Sequence, residues 1–144
     1  MGAYSAGAVS VLFMNVTVIG AQKISNLEGG LAAFYTLDAD EDFGVSVAAI
    51  GDLNGDGVAD IAVGAITDDD GGKNTGAVYV LFLDTSGALV EAQKISNSHG
   101  NLASFYTVSG GFGRSFAAMG ALNSDGVAEL AVAAPSSGVS GTGA

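Results

Sequence analysis

The chain has 144 residues and a net charge of −11, with 15 acidic side chains against Lys23, Lys73, Lys94 and Arg114. Nucleic-acid binding needs a basic footprint that displaces phosphate counterions, and an anionic membrane surface repels such a chain, so both partners are excluded. Cysteine is absent, which removes disulfides, thiolate metal sites and cysteine nucleophiles, while 23 glycines and one proline punctuate a chain that is 49% hydrophobic.

The start, Met1 to Ser5, has no basic n-region of a signal peptide. The longest apolar stretch, Val9 to Ile19, falls short of the roughly 20 residues that span a bilayer. A chain that opens abruptly on a strand-like run reads as a natural or engineered fragment. In chain order, alternation and β-branched content predict strands over Gly7–Phe13 and Val18–Ser25, with one helical turn between Leu27 and Tyr35. Four strands follow, over Val45–Ile50, Asp60–Ala65, Ala77–Leu83 and Leu89–Ser96, and two more over Ser115–Met119 and Glu129–Ala134. The continuous apolarity of Val45–Ile50 and Ile61–Ala65 predicts burial on both faces.

The order of these elements repeats. Gly7-Ala8-Val9-Ser10-Val11-Leu12-Phe13 returns at Gly76–Phe82, an offset of 69, and Ala21–Asn26 returns unchanged at Ala92–Asn97, an offset of 71. Phe43-Gly44 returns at Phe112-Gly113, and Gly51–Gly57 returns at Gly120–Gly126. A serially repeated unit of four antiparallel strands is the blade of a β-propeller. The predicted fold is therefore all-β, with two blade equivalents per chain in repeats of about 4–74 and 75–144: one whole blade over 43–98, flanked by two half blades. Each half blade leaves a bare strand edge. Since propellers close with about 4–8 blades, the expected partner is the chain itself, in a homo-oligomeric ring, a trimer or a tetramer.

The chemically specific segment is Asp52-Leu53-Asn54-Gly55-Asp56-Gly57-Val58-Ala59-Asp60. Asp52, Asn54, Asp56 and Asp60 supply side-chain oxygens at loop positions one, three, five and nine, and Val58 offers its carbonyl at seven. Ca²⁺ is a hard ion that takes about 6–8 oxygens, and carboxylates packed this closely repel unless a cation lies between them. The second repeat offers a weaker set, Asn123, Asp125, the Val127 carbonyl and Glu129, because Ala121 stands where the first carboxylate was. The competing reading of either loop is an Asx-rich turn without metal.

Taken together, Phe43-Gly44-Val45-Ser46, Gly51–Gly57 and Asp60-Ile61-Ala62-Val63-Gly64-Ala65 resemble the FG-GAP repeat of integrin α-subunit propellers, and the second copy ends in Ala133-Ala134-Pro135 where that family usually has Gly-Ala-Pro. The resemblance implies a propeller with Ca²⁺ in the hairpin loop between the first two strands of a blade, held by Asp52, Asn54, Asp56, Val58 and Asp60. It also implies an extracellular or cell-surface setting, with metal loops that are mostly structural; the alternative reading is a lectin- or adhesin-like ring that takes a protein or glycan ligand. Blade number departs from the family, whose propellers usually have about seven in one chain.

Other features read more plainly. Asp38, Asp40, Glu41 and Asp42, and Asp68 to Asp70, are expected to be solvated loop charge. His99 is expected to be an exposed loop residue, since no Gly-x-Ser-x-Gly elbow accompanies it. Phe34, Tyr35, Phe105 and Tyr106 are expected in core or inter-blade packing, with sugar stacking as the alternative. Asn15-Val16-Thr17 fits a glycosylation sequon. An enzyme is not expected, the rival being a hydrolase with two open carboxylates.

Overall fold

The computed structural model describes residues 6–105 and 107–136. Among these residues, eight strands form three antiparallel sheets: β1 (Val9–Asn15) with β2 (Thr17–Ile24), then β3 (Phe43–Gly51), β4 (Asp60–Ala65), β5 (Ala77–Leu83) and β6 (Leu89–Ile95) in sequential order, then β7 (Phe116–Gly120) with β8 (Glu129–Val132). No α-helix occurs among the described residues. This is the all-β, blade-like architecture that the strand order predicts. The predicted helical turn is a short 3-10 segment, Leu31–Ala33, and its repeat has another at Leu102–Ser104.

β5 is buried at every position because both faces of the central sheet are covered. Alternate side chains of a strand point to opposite faces. Val63, Tyr79 and Leu81 therefore join Ile24, Leu31 and Phe43 in one core. Ala62, Val78 and Val80 join Phe112 and other residues of the β7–β8 side in a second core. Each large apolar side chain so buried contributes about 1.5–3 kcal/mol.

β3 departs from the expectation of burial on both faces. Its pattern alternates, and Val45 and Val47 are exposed. β3 is the edge strand of its sheet, and among the described residues the face that carries Val45 and Val47 is left uncovered. A continuous apolar run does not reveal that one face has no neighbour.

The Phe-Gly pairs explain how successive sheets sit so close. Phe43 and Phe112 are buried. Their backbone N–H groups donate to Ala6 O at 3.1 Å and Thr75 O at 3.0 Å. Gly44 and Gly113, at φ of 95° and 94°, lie against the carbonyls of Ala8 and Ala77. A side chain there would meet backbone, and the left-handed conformation disfavours any residue with a Cβ.

Gly64 makes the same kind of approach from β4: a methyl on it would overlap the Gly113 carbonyl and the Ser46 hydroxyl. Ser46 Oγ donates to that carbonyl at 2.6 Å. Gly64→Ala is expected to lower unfolding free energy by about 1–3 kcal/mol, the usual cost of overpacking. Gly20→Ala, where the methyl would meet the Phe13 ring at 3.5 Å, is expected to be near neutral. Urea denaturation of the two variants makes the comparison.

Candidate functional site

The loop between β3 and β4 carries four of the five expected oxygen donors, Asp52, Asn54, Asp56 and Val58, and the fifth, Asp60, opens β4. Asp52 organises the loop. Its Oδ1 accepts from Gly55 N at 2.7 Å and Asp56 N at 2.9 Å, and its Oδ2 accepts from Gly57 N at 2.7 Å. Asn54 Oδ1 accepts from Asp56 N at 3.1 Å, and Asp56 Oδ1 from Val58 N at 2.8 Å. Asn54 Nδ2 donates to Asp56 Oδ2 at 3.1 Å. Gly55 and Gly57, at φ of 81° and 85°, supply the left-handed steps that let the chain curl round Asp52.

Asp60 differs from the rest. Asp52, Asn54 and Asp56 are exposed, whereas Asp60 is fully buried. Its Oδ2 accepts from Leu53 N at 2.9 Å and its Oδ1 from Leu83 N at 3.3 Å. It has no ion-pair partner among the described residues. A buried carboxylate is thus balanced by two peptide dipoles alone, an arrangement that leaves lone pairs on both oxygens.

Among the described residues, no three carboxylate or imidazole groups converge into a finished metal cage. The side chains of Asp52 and Asp56 face N–H groups of their own loop. The donor set is nonetheless all hard oxygen, in the proportion of carboxylate, amide and carbonyl that suits Ca²⁺ rather than a softer metal. The residues fit such an ion in kind.

The second loop keeps part of this network. Asn123 Oδ1 accepts from Asp125 N at 3.1 Å, and Asp125 Oδ1 from Val127 N at 2.8 Å. Glu129 Oε2 accepts from Leu122 N, as Asp60 does from Leu53. The longer side chain therefore reaches the equivalent N–H from a half-buried position. Ala121 offers nothing to the three N–H groups that Asp52 holds in the first loop.

The FG-GAP repeat family matches residues 43–81, the span from the buried Phe43 through the loop and β4 into β5. Residues 43–81 are an FG-GAP repeat. Two integrin subunits are similar to the chain. Integrin alpha-M of Mus musculus is 33% identical over 93 residues, which is 64% of this chain and 8% of the mouse protein. Integrin alpha-PS2 of Drosophila melanogaster is 35% identical over 108 residues, 72% of this chain and 7% of the fly protein. The chain therefore spans a small part of either integrin. Among the described residues no helix is long and apolar enough to cross a membrane.

Asp38, Asp40, Asp42, Asp69 and Asp70 are exposed, as expected of solvated loop charge, but Glu41 and Asp68 depart from that reading and belong to a buried ion cluster in the sheet that carries the FG-GAP repeat. Asp68, Glu41 and Lys94 are all buried. Lys94 Nζ lies 2.6 Å from Asp68 Oδ2 and also pairs with Asp70. The Tyr79 hydroxyl donates to Asp68 Oδ2 at 3.1 Å, and the ammonium sits 5.3 Å from the centre of the Tyr79 ring. Burial lowers the Lys94 pKa, but its hydrogen bonds to Asp68 and Asp70 outweigh this and leave it raised overall. Burial, reinforced by Asp68, pushes the Tyr79 phenol up.

Two other expectations change. His99 is half-buried, with Nδ1 2.9 Å from the Ser98 hydroxyl and its ring edge-on to Tyr35 at 6.0 Å. Tyr35 packs edge-on against Tyr79 at 5.6 Å, as expected of a core aromatic. Phe105, however, is 80% exposed and Phe34 42%. Tyr106 lies outside the described residues.

Glu41 Oε2 is a buried side-chain oxygen with no hydrogen-bond partner among the described residues. Burial raises the Glu41 carboxyl from 4.5 to about 7. The Asp38 N–H and Lys94 oppose the rise, while the charges of Asp68 and Asp38 add to it. A raised carboxyl holds its proton more tightly folded than unfolded. Its contribution to stability is therefore full below the unfolded value and is lost as pH climbs to about 7. Thermal unfolding followed from pH 4.5 to 7 is expected to show this loss, and Glu41→Gln is expected to flatten it.

Proposed function

We propose that this chain is a Ca²⁺-stabilised propeller building block, a structural and interaction module with no catalytic role. One observation carries the reading. Asp60 is a fully buried carboxylate with no counter-charge among the described residues, in a loop whose other donors are also hard oxygens. Asp52, Asn54, Asp56, the Val58 carbonyl and Asp60 are the proposed ligands. A bound cation supplies the positive charge that this carboxylate-rich turn lacks. Asn123, Asp125, the Val127 carbonyl and Glu129 form a weaker second site, since affinity follows ligand charge and Ala121 contributes none.

The remaining parts of the proposal follow from the repeat. Two repeats, about 4–74 and 75–144, provide a whole blade over 43–98 and two half blades. The half blades of different copies complete each other into a closed homo-oligomer, a trimer or a tetramer. Similarity to integrin subunits supports an extracellular or cell-surface setting. Catalysis is disfavoured because ligand duty occupies the loop carboxylates and His99 faces hydroxyls and an aromatic edge. A second reading, a lectin- or adhesin-like ring for a glycan or protein ligand, is favoured by the exposed aromatics Phe34 and Phe105.

Thermal unfolding during a Ca²⁺ titration tests the site. At 100 times the dissociation constant the expected stabilisation is about 2.7 kcal/mol. Asp56→Ala, at an exposed position, is expected to fold and to lose most of that response. A melting temperature indifferent to chelation and Ca²⁺ re-addition contradicts the proposal.

A further inference from the structure

The central strands of the complete sheet have repeats that stand at sheet edges. β8 repeats β4, and β1 repeats β5, both at an offset of 69. Among the described residues β8 pairs only with β7, and β1 only with β2. One sequence pattern thus meets two environments. β5 is buried throughout, but in β1 Leu12 is 51% and Met14 59% exposed. β4 is buried at five of its six positions, and β8 at none of its four.

The polar groups show the same vacancy. In the complete sheet the loop after β4 is held by three donors: Gly76 N to Asp68 O at 3.0 Å, Lys94 to Asp68 and Asp70, and Asn97 Nδ2 to Gly71 O at 3.2 Å. Their repeats are Gly7, Lys23 and Asn26. These three line an open cavity of about 400 Å³. Asn97 Nδ2 also donates to Val108 O at 2.8 Å, and among the described residues Asn26 Nδ2 keeps only the matching bond, to Leu37 O at 2.6 Å. Lys23 is half-exposed and reaches Glu28 at 3.2 Å.

We infer that β8 of one copy adds to the free edge of β1 in a second copy, antiparallel, in the register that β4 keeps with β5. The observed pairs are Ile61 with Leu81, Ala62 with Val80, Val63 with Tyr79 and Gly64 with Val78. Transposed by the repeat offset, Leu130 stands opposite Leu12 of the second copy, Ala131 opposite Val11, Val132 opposite Ser10 and Ala133 opposite Val9. The inference rests on the self-assembly reading and specifies its interface. The occupant is a second copy because the chain itself contains the template for the pairing. Both edges carry mainly apolar residues, with Glu129 as the one charge on either strand. Strand addition satisfies the backbone groups of both edges and buries their apolar faces together. The contact is head-to-tail, so a suitable rotation between copies closes a ring. Ala133 in place of Gly64 fits within a strand, although it holds that face further from a following blade.

The absence of cysteine makes the register directly readable. Ala131→Cys and Val11→Cys variants, mixed under mild oxidation, are expected to give a disulfide-linked dimer on denaturing electrophoresis, absent from either variant alone. Ala131→Cys mixed with Val9→Cys is expected to give none. Light scattering on the unmodified chain provides an independent reading, with a mass expected at a multiple of 14.1 kDa. A multimer in which Ala131 links to Val9 instead of Val11, or to neither, overturns the register and leaves self-assembly standing. A particle of 14.1 kDa overturns both. Neither result bears on the Ca²⁺ titration.

Discussion

The Asp60 carboxylate joins two parts of the molecule that backbone pairing leaves separate. One oxygen holds the Leu53 N–H in the β3–β4 loop, and the other holds the Leu83 N–H at the end of β5. The loop is thereby tied across the neighbouring strand to the middle of the sheet. Losing that carboxylate would leave two N–H groups unpaired, at about 1–3 kcal/mol each. Keeping it buries an acidic group whose partners among the described residues are peptide dipoles and no cation. In the proposed reading, a cation in the adjacent turn would relieve that group's charge and make a structural tie metal-dependent. Glu129 makes the equivalent bond to Leu122 from a half-buried position, where its charge is better solvated.

The second constraint is the close approach of successive sheets. The Phe-Gly pair works as a unit: the aromatic ring enters the core while the glycine lets the preceding strand's carbonyl lie against the backbone. Because the unit recurs at Phe43-Gly44 and Phe112-Gly113, the central sheet is gripped on both faces. That grip gives β5 its uniform burial. It also provides a dry interior in which Lys94, Asp68 and Tyr79 can pair. The pairing must be complete there, since breaking a buried ion pair costs about 3–5 kcal/mol.

Much of this was legible in the residues. β4 and β5 have the bounds predicted for them, because Asp and Gly punctuate both ends and the repeat fixes their order. Loop spacing placed Asp52, Asn54, Asp56 and Asp60 together but did not reveal that Asp60 alone is buried. Alternation along the hairpin decides that, once the covered face is known. The ion cluster was hidden for a different reason. Glu41, Asp68 and Lys94 come from three separate segments, and the repeat misleads, because Lys23 is half-exposed where Lys94 is buried. A visible hint was that one acidic run precedes the FG-GAP span 43–81, the other lies within it, and neither has a counterpart in the second repeat. Phe105 shows the reverse failure, since its aromatic character predicted packing and its neighbours do not cover it.

The central claim is that the Asp60 charge and its loop partners are arranged around a hard divalent ion. A crystal grown in Ca²⁺ and measured for anomalous scattering addresses it most directly. The account predicts a single strong peak in the 52–60 turn, with oxygens of Asp52, Asn54, Asp56, Val58 and Asp60 at about 2.3–2.6 Å. Featureless density there, with Asp52 and Asp56 still bound only to N–H groups of their own loop, would contradict it.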